Sequence, residues 1–352
     1  MGKGDPESGN KKNRVGRRLL AVSVPPSVLP IDIAWCAGPM TFAGTNSRDS
    51  PLSRTSGVRQ IPQMSQTSTS HKAHNLVVDS QVHIWIAESP DRPWPPGGVA
   101  RANLPEPFTY DRLLLLMNEA GVDRVVIVPP FFEGERNDYA LEAATNYPNR
   151  FAVMGRILLN SPEAPALLRT WKDQPGMLGI RLTFNWDQSS WLTDGTADWF
   201  WPAAARAGVP VMVHPNGMIL ELAHIAGSNP RLTLIIDHMG LSIEIAKGNI
   251  RERAIEQTLT LAKYPNVYVK VSSVPTYSFE PYPYRDMNEF VRRVVDAFGP
   301  RRCFWGSDLT VSFGKASYRQ RISHFTEELD FLSTEDKEWI MGRAILNCLG
   351  WE

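Results

Sequence analysis

Three polar side chains interrupt an apolar run near residue 80. In Leu76–Trp85, LVVDSQVHIW, the residues Asp79, Gln81 and His83 alternate, so on an extended chain they share one face. Parallel strands buried on both faces are usually apolar throughout, and polar residues near the carboxyl end of one indicate a site at that end. Later β-rich runs end in the same way: His214 follows VPVMV, His238 follows LTLIID, Lys270 follows VYV and Asp308 follows CFWGS. Imidazoles and a carboxylate gathered at one place suit a catalytic divalent ion, zinc by ligand type, with a position left open for water. A lone histidine at a strand end is more often hydrogen-bonded packing. Three of them at one end, together with Gly306-Ser307-Asp308, favour chemistry.

Positioning such residues takes a regular frame. Further β-rich runs at Val122–Pro130, Phe151–Leu158, Gly176–Phe184, Val209–Pro215, Leu232–Gly240, Val267–Ser273 and Cys303–Asp308 make eight strands with the first. Helical spacing of apolar residues lies between them, as at Asp138–Tyr147, Pro162–Asp173, Asp198–Ala207, Arg251–Ala262 and Met287–Phe298. Eight strand–helix units over about 270 residues match an α/β fold of the (β/α)8 barrel kind. An open doubly wound sheet is the alternative, but no Gly-rich dinucleotide turn follows any strand. Closing helices are expected at Tyr318–Phe331 and Thr334–Leu346, the second started by Ser333 with Asp336 three residues on.

Loops at the carboxyl end of a barrel build its site. The stretch from Ile86 to Phe108, rich in Pro and Gly and carrying Arg92, Trp94 and Arg101, is expected to cover the mouth; an inconsequential surface loop is the alternative. The tyrosines of Val274–Tyr284 would stack on a planar ligand or pack on each other.

Composition narrows the class. Lys and Arg total 37 against 37 Asp and Glu, which suggests neither nucleic acid nor an anionic membrane as partner. Cys36, Cys303 and Cys348 form no CxxC pair and no even framework, so the reducing cytoplasm is the expected compartment. No apolar run reaches the ~20 residues of a spanning helix. Residues 1–75 read as a disordered extension ahead of a barrel at 76–352. KKNRVGRR followed by LLAVSVPPSVLPIDIAWCAG has the order of a signal peptide, yet Pro25, Pro26, Pro30 and Asp32 break its apolar core, and Met64 is an alternative start. The 11 tryptophans permit a homodimer without requiring one.

The order Asp79-x-x-x-His83, His214, His238 and Gly306-Ser307-Asp308 resembles the amidohydrolase-related proteins of the aminocarboxymuconate-semialdehyde decarboxylase and 2-pyrone-4,6-dicarboxylate lactonase type, over about Leu76 to Trp351. That resemblance implies a distorted TIM barrel and a pocket for small, often carboxylated, ring compounds. It further implies that His83, His214 and Asp308 hold one divalent metal or the substrate, and that His238 polarises the substrate or shuttles a proton. Family members normally carry His-x-His on the first strand, and here Gln81 replaces the first histidine. An amide oxygen is a weaker zinc ligand than imidazole, so the metal is expected to be weakened or absent. The lactonase branch, by the same resemblance, works without a tightly bound metal.

Two-metal amidohydrolases place a carbamylated lysine on the fourth strand, where Arg181 stands here. A guanidinium forms no carbamate but grips a carboxylate with parallel hydrogen bonds. Arg156 and Lys270 would add positive charge, unless they pair with Asp237 or Glu133; Gln81 and Trp94 complete the expected substrate contacts. The favoured reaction is hydrolysis of a lactone or related C–O ester bond in a small carboxylated ring compound of aromatic catabolism. Asp308 would be the base, its pKa raised by partial burial, and the histidines would stabilise the oxyanion. Two alternatives remain: a metal-dependent non-oxidative decarboxylase, and a barrel that only binds a ligand.

Overall fold

The computed structural model describes residues 75–185, 188–242 and 250–352. Expectations for the first 74 residues lie outside that range. Eight parallel strands run in sequence order: β1 (Val78–Val82), β2 (Arg124–Ile127), β3 (Phe151–Gly155), β4 (Met177–Thr183), β5 (Val211–His214), β6 (Leu234–Ile236), β7 (Val267–Ser272) and β8 (Cys303–Gly306). Each pairs in parallel with the next. Between β8 and β1 the closure is made by a hydrogen bond from the Asp308 N–H to the Gln81 carbonyl at 2.9 Å. Asp79 reinforces it: one carboxylate oxygen accepts from the Ser307 N–H at 2.8 Å, and the other from the Tyr318 hydroxyl at 2.7 Å. The sheet is thus a TIM barrel, as the strand–helix alternation indicates.

Period-two alternation sorts each strand into an outer and an inner row. Val125, Val153, Ile180, Val211, Leu234, Val269 and Trp305 join the large apolar cluster beneath the helices. Val126, Met154, Met212, Ile235 and Phe304 form a separate inner cluster, against which Trp339, Ile345 and Leu349 of the C-terminal helices pack. Two residues beyond three of those inner positions stand Arg156, His214 and Asp237, while Arg181 and Lys270 are in register with Met212 and Phe304 on the neighbouring strands. On β3 to β7 the barrel interior therefore turns from hydrocarbon to polar or charged side chains toward the carboxyl end. Gly306 lets β8 approach β1 closely: a Cβ there would lie 2.7 Å from Ser80 Oγ and 3.1 Å from Gln81 Cβ.

Helices at Asp138–Asn146, Phe200–Ala207, Ile250–Leu259 and Asn288–Phe298 fall where spacing predicts them. Two more, Tyr110–Ala120 and Ile219–Ser228, were not singled out from the sequence. Ser333 and Asp336 do form a reciprocal capping box, starting the helix at Thr334. The expected continuous helix Tyr318–Phe331 instead ends at Glu328, its last turn widened over His324–Glu328. No helix among the described residues is long and apolar enough to cross a membrane.

Candidate active site

At the carboxyl ends of the strands lies a cavity of about 390 Å³, within the range of small-molecule sites. His83, Arg181, His214, His238 and Asp308 all line it, from five different strand ends, with Asn185, Asn216 and Tyr277 between them. Convergence from such distant stretches of chain is what a barrel provides.

Asp308 sits at the centre. Its Oδ2 accepts from the Ser273 hydroxyl at 2.8 Å and lies 3.8 Å from His238 Nε2. Its Oδ1 has no hydrogen-bond donor among the described residues and stands 3.4 Å from His83 Nε2. Burial alone would raise this carboxyl's pKa, but the neighbouring His238 and the Ser273 hydroxyl hold the group below the usual carboxylate range. The expected upward shift is thus corrected. The carboxylate is the resting form because the Ser273 hydroxyl donates to it and His238 faces it.

The histidines are fixed by their second ring nitrogens. His83 Nδ1 lies 2.7 Å from the Val128 carbonyl, which can only accept, so Nδ1 carries a hydrogen, and Nε2 lies 3.3 Å from the Gln81 amide nitrogen. His238 Nδ1 is 2.8 Å from Ser272 Oγ. His214 packs edge-on to His238, ring centroids 5.6 Å apart. Burial, seconded by the Arg181 charge, pushes His214 down to about 3; burial also lowers His238, against the pull of Asp308 and Asp237. Both imidazoles are neutral at ordinary pH.

Four residues of the cavity and its support lie in the left-handed backbone region without being glycine: Asn216 (φ 45°), His238 (φ 53°), Ser273 (φ 61°) and Asp308 (φ 49°). Each follows directly on, or within a few residues of, a strand end. Such conformations cost on the order of 1 kcal/mol or more and collect where a side chain must be aimed against the local preference of the chain. Here they turn strand-end residues back over the barrel mouth.

Beneath the cavity floor runs a compensated charge network. Arg181 Nε donates to Asp237 Oδ2 at 3.1 Å, and its Nη1 donates to the Thr183 hydroxyl. Lys270 Nζ lies 3.1 Å from Asp237 Oδ1 and donates to Gln81 Oε1. Although burial would raise it, Asp237 is held below the carboxylate range by Lys270 and Arg181; burial lowers both cations in turn. Lys270 therefore takes the Asp237 pairing weighed for it from the sequence.

The remaining candidates are placed elsewhere. Arg156 pairs with Glu135 at 3.1 Å, rather than with Glu133, and is not among the cavity-lining residues. Trp94 packs against Phe132, ring centroids 5.2 Å apart, behind the wall that Phe132 gives the cavity. Its loop still reaches the mouth, through Arg101 and Asn103, while Arg92 tethers it to Glu133 at 3.3 Å and to Asp138 at 2.5 Å. In the loop after β7, Tyr277 lines the cavity, whereas Tyr282 and Tyr284 pack on each other at 5.7 Å. Trp186 lies outside the described residues.

Sequence reasoning overlooked Ser272, Ser273, Asn103, Asn185 and Asn216. A signal existed for some of them: Ser272-Ser273 and His214-Pro-Asn216 directly extend strand ends already singled out. Serine and asparagine are so common in loops that position alone, without the barrel, did not separate them from turn formers.

Comparison with known proteins agrees with this geometry. Over 245 residues the chain is 31% identical to an L-fucono-1,5-lactonase of Burkholderia ambifaria, covering 67% of this chain and 80% of the relative. It is 25% identical over 219 residues to a 4-sulfomuconolactone hydrolase of Hydrogenophaga intermedia, covering 60% of this chain and 69% of that one. A zinc-bound crystal structure of an amidohydrolase from Burkholderia multivorans superposes with a TM-score of 0.66 at 22% identity, covering 78% of this chain and 99% of the other, a likeness that shows the shared fold. The Amidohydrolase family model matches residues 78–346, from the first strand into the last helix, and the chain belongs to that family of hydrolases.

Proposed function

We propose that the protein opens a small lactone by hydrolysis, with Asp308 as the base. One observation carries the reading. Asp308, a carboxylate lining the cavity, stands 3.4 Å from His83, and a water bound in the cavity beside it can give a proton to the carboxylate while its oxygen turns toward a bound carbonyl. Asp308 takes one proton from that water as the oxygen attacks the acyl carbon. His214 and His238 also line the cavity; with the Ser272 hydroxyl donating to His238 Nδ1, the His238 Nε2 carries a hydrogen and donates to the developing oxyanion. Collapse breaks the acyl C–O bond, and the proton on Asp308 passes to the ring oxygen as it leaves. Water and lactone become a hydroxy acid, which releases its proton at neutral pH.

The two sequence relatives support this class, since both are named for opening lactones although the rest of their substrates differ. For the substrate, the cavity lining offers Asn103, Asn185 and Asn216, which donate and accept, and Arg101, which matches one anionic group. Arg181 is already joined to Asp237 and Thr183, so it orients the site more than it neutralises a free carboxylate. That lining favours a hydroxylated ring with at most one negative charge.

A tightly held divalent ion does not fit the donors present. Among the described residues no three His, Cys, Asp or Glu side chains converge as ligands. Beside the His83 lone pair stands the Gln81 amide nitrogen, at 3.3 Å, a hydrogen donor where an ion would need an acceptor.

The test is a panel of aldono-lactones and acidic unsaturated lactones, with products followed by NMR and headspace carbon dioxide. Ring-opened hydroxy acids are expected. Release of carbon dioxide from a carboxylated substrate would favour the decarboxylase, and binding of panel members without turnover would favour the ligand-binding barrel.

A further inference from the structure

Gln81 is more than a missing ligand, because both ends of its amide are engaged. Lys270, fully buried, donates its ammonium to Gln81 Oε1, which fixes the amide with oxygen toward the cation and NH2 toward His83 Nε2 at 3.3 Å. His83 Nδ1–H is spent on the Val128 carbonyl at 2.7 Å, so the Gln81 N–H meets the lone pair at Nε2. Turning the amide over would set its N–H against the ammonium and its oxygen against that lone pair, and both contacts would become repulsive. While Lys270 is charged, Gln81 has no oxygen to offer an ion beside His83.

The charges point the same way. Arg181 and Lys270 are balanced by Asp237 and Asp308, so this buried set is already neutral, and a divalent ion added to it would be uncompensated in a low-dielectric interior. We propose that the Lys270 ammonium, relayed through Gln81 to His83, is the resident cation of this centre, and that the site becomes zinc-competent only when Lys270 and Gln81 are both replaced. This rests on reading the cavity as the hydrolytic centre. Lys270 and Gln81 are then positioning residues that keep His83 as an acceptor.

The proposal makes an epistatic claim. Replacing Gln81 by histidine alone restores the family's His-x-His but leaves an ammonium facing the new imidazole. Zinc alone is titrated by calorimetry into metal-free wild-type protein and the Gln81→His, Lys270→Met and Gln81→His/Lys270→Met variants, with Asp308→Asn added to the tightest binder to locate the site. The double variant is expected to bind zinc at least about 100-fold more tightly than wild type or either single variant, a gain of the size that ligand and outer-shell changes carry at metal sites. Tight, near-stoichiometric zinc in wild type that Asp308→Asn removes, or Gln81→His alone matching the double variant, overturns the proposal. Those two titrations need no Lys270 variant, and Lys270→Gln replaces Lys270→Met if circular dichroism shows the methionine form unfolded. No lactone enters this experiment, so it fails or succeeds independently of the hydrolytic reading.

Discussion

Replacing Asp308 by asparagine removes the proposed base while disturbing little else. Asparagine tolerates the left-handed backbone region as aspartate does, so the φ of 49° at this position is kept without added strain. The amide oxygen can still accept from the Ser273 hydroxyl, which lies 2.8 Å from the carboxylate. What is lost is the carboxylate facing His83 across 3.4 Å and with it the acceptor for the water's proton. General-base catalysis of this kind contributes about 10²–10⁴-fold, equivalent to about 3–5 kcal/mol of barrier. Because the base acts on the water and not on the substrate, the loss falls on kcat, with KM changed by no more than about threefold. Proton release in weakly buffered indicator solution measures both constants, and thermal unfolding of the variant separates lost chemistry from lost fold. A kcat within about fivefold of wild type in a folded variant would refute the assignment of Asp308 as base.

Two other outcomes follow from the same geometry. Ser273→Ala deletes a hydroxyl that helps hold Asp308 below the carboxylate range, so the acid limb of kcat/KM is expected to move to higher pH with kcat lowered by about tenfold or less; an unmoved acid limb would contradict that role. Stability carries a sign as well. His214 is depressed to about 3 from an ordinary 6.5, and His238 is depressed too, so below pH 6.5 the unfolded chain binds protons that the folded chain refuses. Unfolding free energy should fall as pH drops from 6.5, by up to about 1.4 kcal/mol per pH unit for each such histidine. Asp237 and Asp308, held below 3.8, add a loss of the same sign once the pH falls under that value. Urea midpoints that stay constant from about pH 7.5 to about pH 5 would contradict the buried, neutral imidazoles.

The barrel was legible because its strands announce themselves twice. Runs such as VVIV, VPVMV and LTLII are apolar on both faces, as strands between a packed interior and a helical layer must be, and the polar residue that ends each run marks the carboxyl face. His83, His214, His238 and Asp308 could therefore be assigned to one mouth from chain order alone. Lys270 and Arg181 show where that reasoning stops. A cation at a strand end looks the same in sequence whether it greets a substrate or neutralises Asp237, since the partner is set by inter-strand register and side-chain reach. Arg156 missed its expected partner by two residues for the same reason: Glu135, beyond the turn at Gly134, comes within 3.1 Å, while Glu133 turns to Arg92. The direction of the Asp308 shift needed three dimensions as well, because burial is opposed by His238 and the Ser273 hydroxyl. An aromatic in a lid loop can cap a ligand or buttress the wall, and sequence does not tell the two apart; Trp94 packs on Phe132, which lines the cavity.

The most direct measurement of the central claim is proton release by chelator-treated wild-type protein on a lactone that the untreated protein opens. The account predicts one proton per lactone, no carbon dioxide, and the same kcat as before treatment. Turnover that disappears with the chelator and returns on adding zinc, or carbon dioxide in place of a ring-opened acid, would contradict it.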